Sequence, residues 1–154
     1  MGKKIWFLIF QTFLIPGCQN KVLTFSVNSN KSPESLIEKS ISSWNELFAH
    51  TDEAYLNYIY SDTCLHCLSI KDEMEEFSNN SVIPIYFILF NDEIPIGNDL
   101  EKTIGVTTID QCFIKGTPTL ILIENGAVSF NIAGATNILE TIDLYKKSNM
   151  LLYC

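Results

Sequence analysis

From residue 21 onward, stretches in which every second position is apolar take turns with stretches in which apolar residues recur every third or fourth position. Lys21–Asn28 (KVLTFSVN) puts Leu23, Phe25 and Val27 on one side, the period of a strand. Ser32-Pro33 then supplies a capping hydroxyl and a proline suited to a first helical turn. Beyond it, Leu36, Ile37, Ile41, Trp44, Leu47 and Phe48 keep helical spacing, so a helix with one broad apolar face is expected. Ala54–Tyr60 (AYLNYIY) is aromatic and apolar enough for a central strand. Ser61–Cys67 predicts a loop entering a helix that runs to about Asn79, with Leu68, Ile70, Met74 and Phe77 turned inward. Ser81–Phe90 (SVIPIYFILF) reads as a strand buried on both faces. Asn91–Val106 is polar and turn-rich, with a short helix around Asp99–Thr103, and a second is expected near Thr108–Phe113. Thr119–Ile123 and Ala127–Ile132 flank Glu124-Asn125-Gly126, and an Asn-Gly pair between apolar runs is a hairpin signal. Asn137–Lys147 closes the pattern as a helix. Alternation of this kind predicts an α/β fold.

The first twenty residues break this rhythm. Lys3 and Lys4 precede an apolar run from Ile5 to Ile15, followed by Pro16, Gly17 and Cys18. The run is short for a membrane-spanning helix and has the build of a cleaved export signal. A buried first strand or helix is the alternative, disfavoured because a polar, lysine-containing stretch and a fresh alternating segment follow at once. Ile15-Pro16-Gly17-Cys18 resembles the lipobox of bacterial lipoproteins, in which cleavage exposes a cysteine that carries lipid, although Pro16 and Ile15 depart from the usual pattern. The expectation is therefore a signal peptide over 1–17 and one domain with a short lead over 18–154, outside the cytoplasm and held on a bacterial membrane through Cys18. Double acylation there would anchor the chain, since one acyl chain binds only marginally.

Composition narrows the partners. The chain has 154 residues, enough for one domain, and its 47% hydrophobic content allows a sizeable core. All 10 basic residues are lysines against 18 acids, a net charge of -8. Phosphate backbones need a clustered positive field, so no nucleic-acid partner is expected, and the net negative charge likewise argues against a polybasic membrane patch. Five cysteines are too few and too unevenly spaced to staple a miniprotein.

Chemistry gathers at Cys64-Leu65-His66-Cys67. Two cysteines separated by two residues in a first helical turn can close a small disulfide ring. In the reduced form, Cys64 faces unpaired backbone N–H groups, which favour thiolate over thiol. Cys67 lies one turn on and can attack a mixed disulfide made at Cys64. His66, when protonated, would lower the Cys64 pKa and raise the reduction potential. Leu65 offers an apolar rim. A closed zinc site generally takes four ligands, and His66, His50, Cys112 and Cys154 form no second paired motif, so no metal site is expected. A structural disulfide without turnover is the blander alternative.

Strand Ala54–Tyr60, the Cys64–Cys67 pair at a helix start, and Gly116-Thr117-Pro118-Thr119 ahead of the Asn125-Gly126 hairpin together resemble the thioredoxin superfamily over roughly Lys21–Lys147. The resemblance implies a thioredoxin-like α/β fold with a central mixed β-sheet flanked by helices, a cis peptide bond before Pro118 beside the redox pair, and substrate pairing with the backbone of Thr117. It implies dithiol–disulfide exchange with no cofactor. The alternative reading of Thr117-Pro118-Thr119 is an ordinary turn before a strand. Thioredoxins proper carry Trp-Cys-Gly-Pro-Cys and a buried acid in the preceding strand; here the motif is Thr63-Cys64-Leu65-His66-Cys67 and Tyr58 occupies the acid's place. Small size, an export signal and an unadorned fold resemble small exported bacterial thioredoxin-like proteins of the bacteriocin-accessory type.

The sequence thus predicts a monomeric thiol–disulfide oxidoreductase. Cys64, Cys67, His66 and Pro118 would form the catalytic set, with Leu65, Thr117 and Tyr60 contacting substrate. Tyr60 reads equally well as core. Its partners would be exported protein thiols or disulfides, with a membrane redox protein for recycling. The competing class is a non-catalytic thioredoxin-like binding or accessory protein of an export system. An oxidant or isomerase is expected rather than a strong reductant. Cys112 reads as a buried thiol on a helix, its pairing with Cys154 left open. His50 is expected at the carbonyl end of the first long helix.

Overall fold

The computed structural model describes residues 41–152, with side chains through 148; the expected strand over 21–28, the signal segment, Cys18 and Cys154 lie outside the described residues. Five strands form one sheet: β1 (Ile41–Ser42), β2 (Ala54–Tyr60), β3 (Ile85–Leu89), β4 (Thr119–Glu124) and β5 (Ala127–Ala133), in the order β1-β3-β2-β4-β5. β3 runs parallel to both β1 and β2, whereas β2–β4 and β4–β5 are antiparallel, so the sheet is mixed as expected. The central strand is β2, matching its aromatic and apolar sequence.

Alternation along β2 divides the core. Tyr55 and Ile59 point to one face with Ile88, Ile121, Ile123 and Cys112, covered by a 3-10 turn at Trp44–Glu46 and the long loop before β4. Leu56 and Tyr58 point to the other, against α2 (Lys71–Asn80) through Ile70, Met74 and Phe77 and against α3 (Ala135–Leu152) through Ile138 and Ile142. A short helix, α1 (Leu65–Ser69), precedes α2.

Several expectations are corrected. Residues 41–48 are not a continuous helix. Ile41 and Ser42 pair with Phe87 and Ile88 as an edge strand, and Ser43 is extended before the 3-10 turn. The Ser43 backbone N–H donates to the Glu46 carboxylate at 2.9 Å, a local bond that competes with helix continuation. Trp44 and Leu47 still bury, while Ile41 is exposed. The helix expected after Cys67 is broken at Ile70, whose φ of -120° and ψ of 12° leave the helical region. Leu68 consequently stays exposed, whereas Ile70, Met74 and Phe77 face inward. The strand expected over Ser81–Phe90 shortens to Ile85–Leu89, because Ser81 closes α2 and Pro84 stands at the strand's start. Leu89 and Val82 are exposed, so that stretch is not buried throughout. The two short helices expected before β4 are 3-10 turns at Leu100–Thr103 and Ile109–Gln111, and Cys112 follows the second fully buried.

His50 does not cap a long helix. Its ring stacks on Tyr86 with centroids 3.4 Å apart, meets Tyr55 edge-on at 5.0 Å, and places Nε2 3.3 Å from Ser42 Oγ. Partial burial among these rings holds its pKa below the ordinary histidine value, although Glu46 and Asp52 act against that shift.

Candidate active site

The C-terminal end of β2 delivers the chain into Ser61-Asp62-Thr63, and Cys64 becomes the N-cap of α1. Its extended backbone lets the side chain turn back over the first turn, where Cys64 Sγ accepts the Cys67 backbone N–H at 3.2 Å. The Cys64 thiol donates to the Thr117 carbonyl at 3.4 Å. Across 53 positions of sequence, the loop before β4 therefore meets the cysteine pair directly.

Thr117-Pro118 is a cis peptide, as the resemblance implies. Flanking bonds fasten this loop: Thr119 Oγ1 donates to the Gly116 carbonyl at 2.6 Å, and the Gly134 N–H donates to the Pro118 carbonyl at 2.8 Å. Strand order, the cysteine pair at the end of the central strand and the cis proline beside it define the architecture. The fold is thioredoxin-like.

Among solved structures with thioredoxin folds, Plasmodium falciparum thioredoxin aligns with 19% identity and a TM-score of 0.48, over 69% of this chain and 98% of that one. Thioredoxin f2 of Chlamydomonas reinhardtii aligns with 14% identity and a TM-score of 0.46, over 68% and 94%. Thioredoxin from Aeropyrum pernix aligns with 20% identity and a TM-score of 0.44, over 76% and 83%. No protein-family profile matches the chain.

The two thiols occupy unlike surroundings. Cys64 is partly exposed and Cys67 buried. Burial pushes the Cys64 pKa upward but is outweighed by hydrogen bonds to its anion from the Cys67 and Thr117 side chains and the backbone N–H groups of Cys67 and His66, so it lies below the ordinary thiol value. Cys67 is pushed up to about 11, first by burial and then by its role as donor to Cys64. One thiol is thus prepared to attack, while the other stays protonated until something calls on it.

The remaining expected residues fall around this pair. Leu65 is 79% exposed and, with exposed Leu68, forms an apolar rim. The His66 ring is exposed, and it is the backbone N–H of His66 that reaches the Cys64 anion. Thr117 is half-buried and Pro118 buried. Tyr60 lines a cavity of about 200 Å³ beside Cys67 while packing parallel to Tyr58 at 5.9 Å, so it is at once wall and core. Cys112 is a buried thiol on the opposite face of the sheet, pushed up to about 12 by burial, and stands apart from the pair. Among the described residues, no three His, Cys, Asp or Glu side chains converge as a metal site.

Local pattern did not disclose the cavity. Its walls include Tyr58, Phe87 and Leu68, with Asp62, Lys71 and Glu75 among its polar lining. The pairing of Tyr58 with Phe87 across β2 and β3 was the available signal, but only once strand register is known.

Proposed function

We propose that this protein is a thiol–disulfide oxidoreductase of the thioredoxin superfamily, acting on exported protein substrates. The observation that carries this reading is the asymmetric pair: Cys64, partly exposed with a lowered pKa, lies against Thr117, and Cys67, buried with a pKa near 11, stands one turn behind it. In one direction the Cys64 thiolate attacks a substrate disulfide and expels one substrate sulfur as a thiolate. Cys67 then attacks Cys64 Sγ, closing the Cys64–Cys67 disulfide and releasing the second substrate thiol. The reverse sequence oxidises a substrate dithiol. Leu65, Thr117 and Tyr60 border the pair and serve as the substrate contacts, with exposed Leu65 well suited to an apolar residue of an unfolded chain. No cofactor enters this cycle.

The lead over 1–17 is the export signal in this reading, and Cys18 the lipid anchor, as in small exported bacterial proteins of the bacteriocin-accessory type. A membrane redox protein would return the pair to its working state.

Replacing Cys67 with Ala removes the resolving thiol and should accumulate mixed disulfides with protein thiols through Cys64. Replacing Cys64 with Ala should abolish them. Non-reducing electrophoresis with mass-spectrometric site mapping checks this. Equal trapping by both variants, or trapping through Cys112, rejects the assignment.

A further inference from the structure

Tyr58 sits at the middle of the sheet with 3% exposure, and its hydroxyl has no hydrogen-bond partner among the described residues. Leaving such a group unpaired in a dry interior costs about 1–3 kcal/mol, so a buried orphan hydroxyl calls for an account. Its ring is held on two sides, parallel to Tyr60 and edge-on to Phe87 at 5.7 Å. The same side chain lines the cavity that Cys67 also lines. A volume of about 200 Å³ lined by both residues has room for ordered water, while the Tyr58 hydroxyl itself has almost no accessible surface.

We propose that the Tyr58 hydroxyl, unpartnered at rest, is the hydrogen-bond donor that the Cys67 thiolate recruits as it forms, and so sets the rate of the resolving step. The proposal rests on the oxidoreductase reading and deepens it. Cys67 must lose its proton to attack Cys64, yet burial holds that thiol neutral near pH 7. A phenol answers this need differently from a carboxylate. Burial raises the Tyr58 pKa far above neutrality, and the nearby cysteines raise it further, so it brings no negative charge that would repel a forming thiolate.

In the resolving step the Cys67 proton leaves by water toward the cavity rim, where Asp62, Lys71 and Glu75 stand. Tyr58 donates its hydrogen bond to the sulfur and remains a neutral phenol throughout. The Cys67–Cys64 bond forms, and the bond from Cys64 to the bound sulfur breaks. The electron pair departs on that leaving sulfur, which takes up a proton when solvent pH requires it. No external oxidant is needed, because the bound disulfide is reduced as the protein's dithiol is oxidised. The titratable groups facing Cys67 and Tyr58 are Cys64, Tyr60, Asp62, Lys71 and Glu75.

The test is stopped-flow reaction of the reduced full-length chain, carrying Cys18→Ser and Cys154→Ser, with 5,5′-dithiobis(2-nitrobenzoate). Attack by Cys64 releases one coloured thiolate and attack by Cys67 releases a second, so the two steps read separately. In Tyr58→Phe, which keeps the packed ring, the first phase should stay within about twofold of the parent. The second should slow about tenfold near neutral pH, the loss expected for a hydrogen bond to a charged group. The pH dependence of that second phase should move upward by about one unit. In a Cys64→Ala background, the Cys67 thiolate absorbance should titrate correspondingly higher with Tyr58→Phe. A second phase within about twofold of the parent across the pH range, or equal slowing of both phases, overturns the proposal. A parent chain that releases neither equivalent overturns the oxidoreductase reading and this inference with it.

Discussion

At the scale of single residues, the proposed chemistry turns on the difference between two otherwise identical thiols. A lowered Cys64 pKa stabilises the reduced protein at every pH above that pKa, and stabilising the reduced form raises the reduction potential. Cys67, near 11, stays protonated at neutral pH and adds no such thiolate stabilisation there. With Tyr58, which brings no negative charge, in the place of the buried acid of thioredoxins, the potential is expected above the about -270 mV of thioredoxin. Because the His66 ring is exposed and its contact with Cys64 runs through the backbone, His66→Ala should lower the potential by less than about 30 mV, roughly one pKa unit of screened charge. A glutathione redox titration checks both statements. A wild-type value at or below the thioredoxin reference, unmoved by the substitution, would overturn the oxidising assignment. The Cys64–Cys67 pair was legible because its chemistry lies within four consecutive residues. The backbone source of the His66 effect was not, since side-chain type says nothing of which atom reaches a neighbour.

At the scale of elements, legibility follows how locally each one is determined. β2 spans Ala54–Tyr60 in the structure as in the apolar pattern, and the β4–β5 hairpin closes at Asn125-Gly126 with φ of 51° and 78°. These are the left-handed values a tight two-residue turn requires, so the dipeptide alone specifies it. A Cβ at Gly126 would meet nothing within 4 Å, leaving backbone conformation as the whole cost of adding one. Gly126→Ala should lose about 1 kcal/mol, a fall in Tm of about 3 °C by calorimetry, with redox activity retained. An unchanged or higher Tm contradicts that account. The errors fell where spacing is ambiguous. Ile41 and Trp44 suit a helical face as well as an edge strand followed by a tight turn, and only pairing with Phe87 and Ile88 decides between them. The long loop before β4 is likewise tied from afar, by Asn131 Nδ2 donating to the Phe113 carbonyl at 2.8 Å and to Thr103 Oγ1 at 3.0 Å.

At the scale of the whole molecule, the sheet gathers parts that the chain keeps far apart. The cysteine pair, the loop at Thr117-Pro118 and the Tyr58–Phe87 wall meet at one end of β2 because its neighbours β3 and β4 arrive from opposite sides. Among the described residues no helix is long and apolar enough to cross a membrane. The proposed attachment rests on the N-terminal lead and Cys18 alone. Mass spectrometry of protein purified from its native membrane should find residues 1–17 missing and lipid on Cys18. An intact Met1 rejects export, and cleavage without lipid removes the anchor. The sequence by itself determined the α/β alternation, the central strand, the hairpin and the cysteine pair at a helix start, because each depends on residues a few positions apart. Only the tertiary structure decided that Thr117 accepts the Cys64 thiol, that the chain turns extended at Ile41, and that Tyr58, its hydroxyl unpartnered, lines one cavity with Cys67. Those facts depend on strand order and register, which bring distant residues into contact, and hydrophobic periodicity carries no information about either.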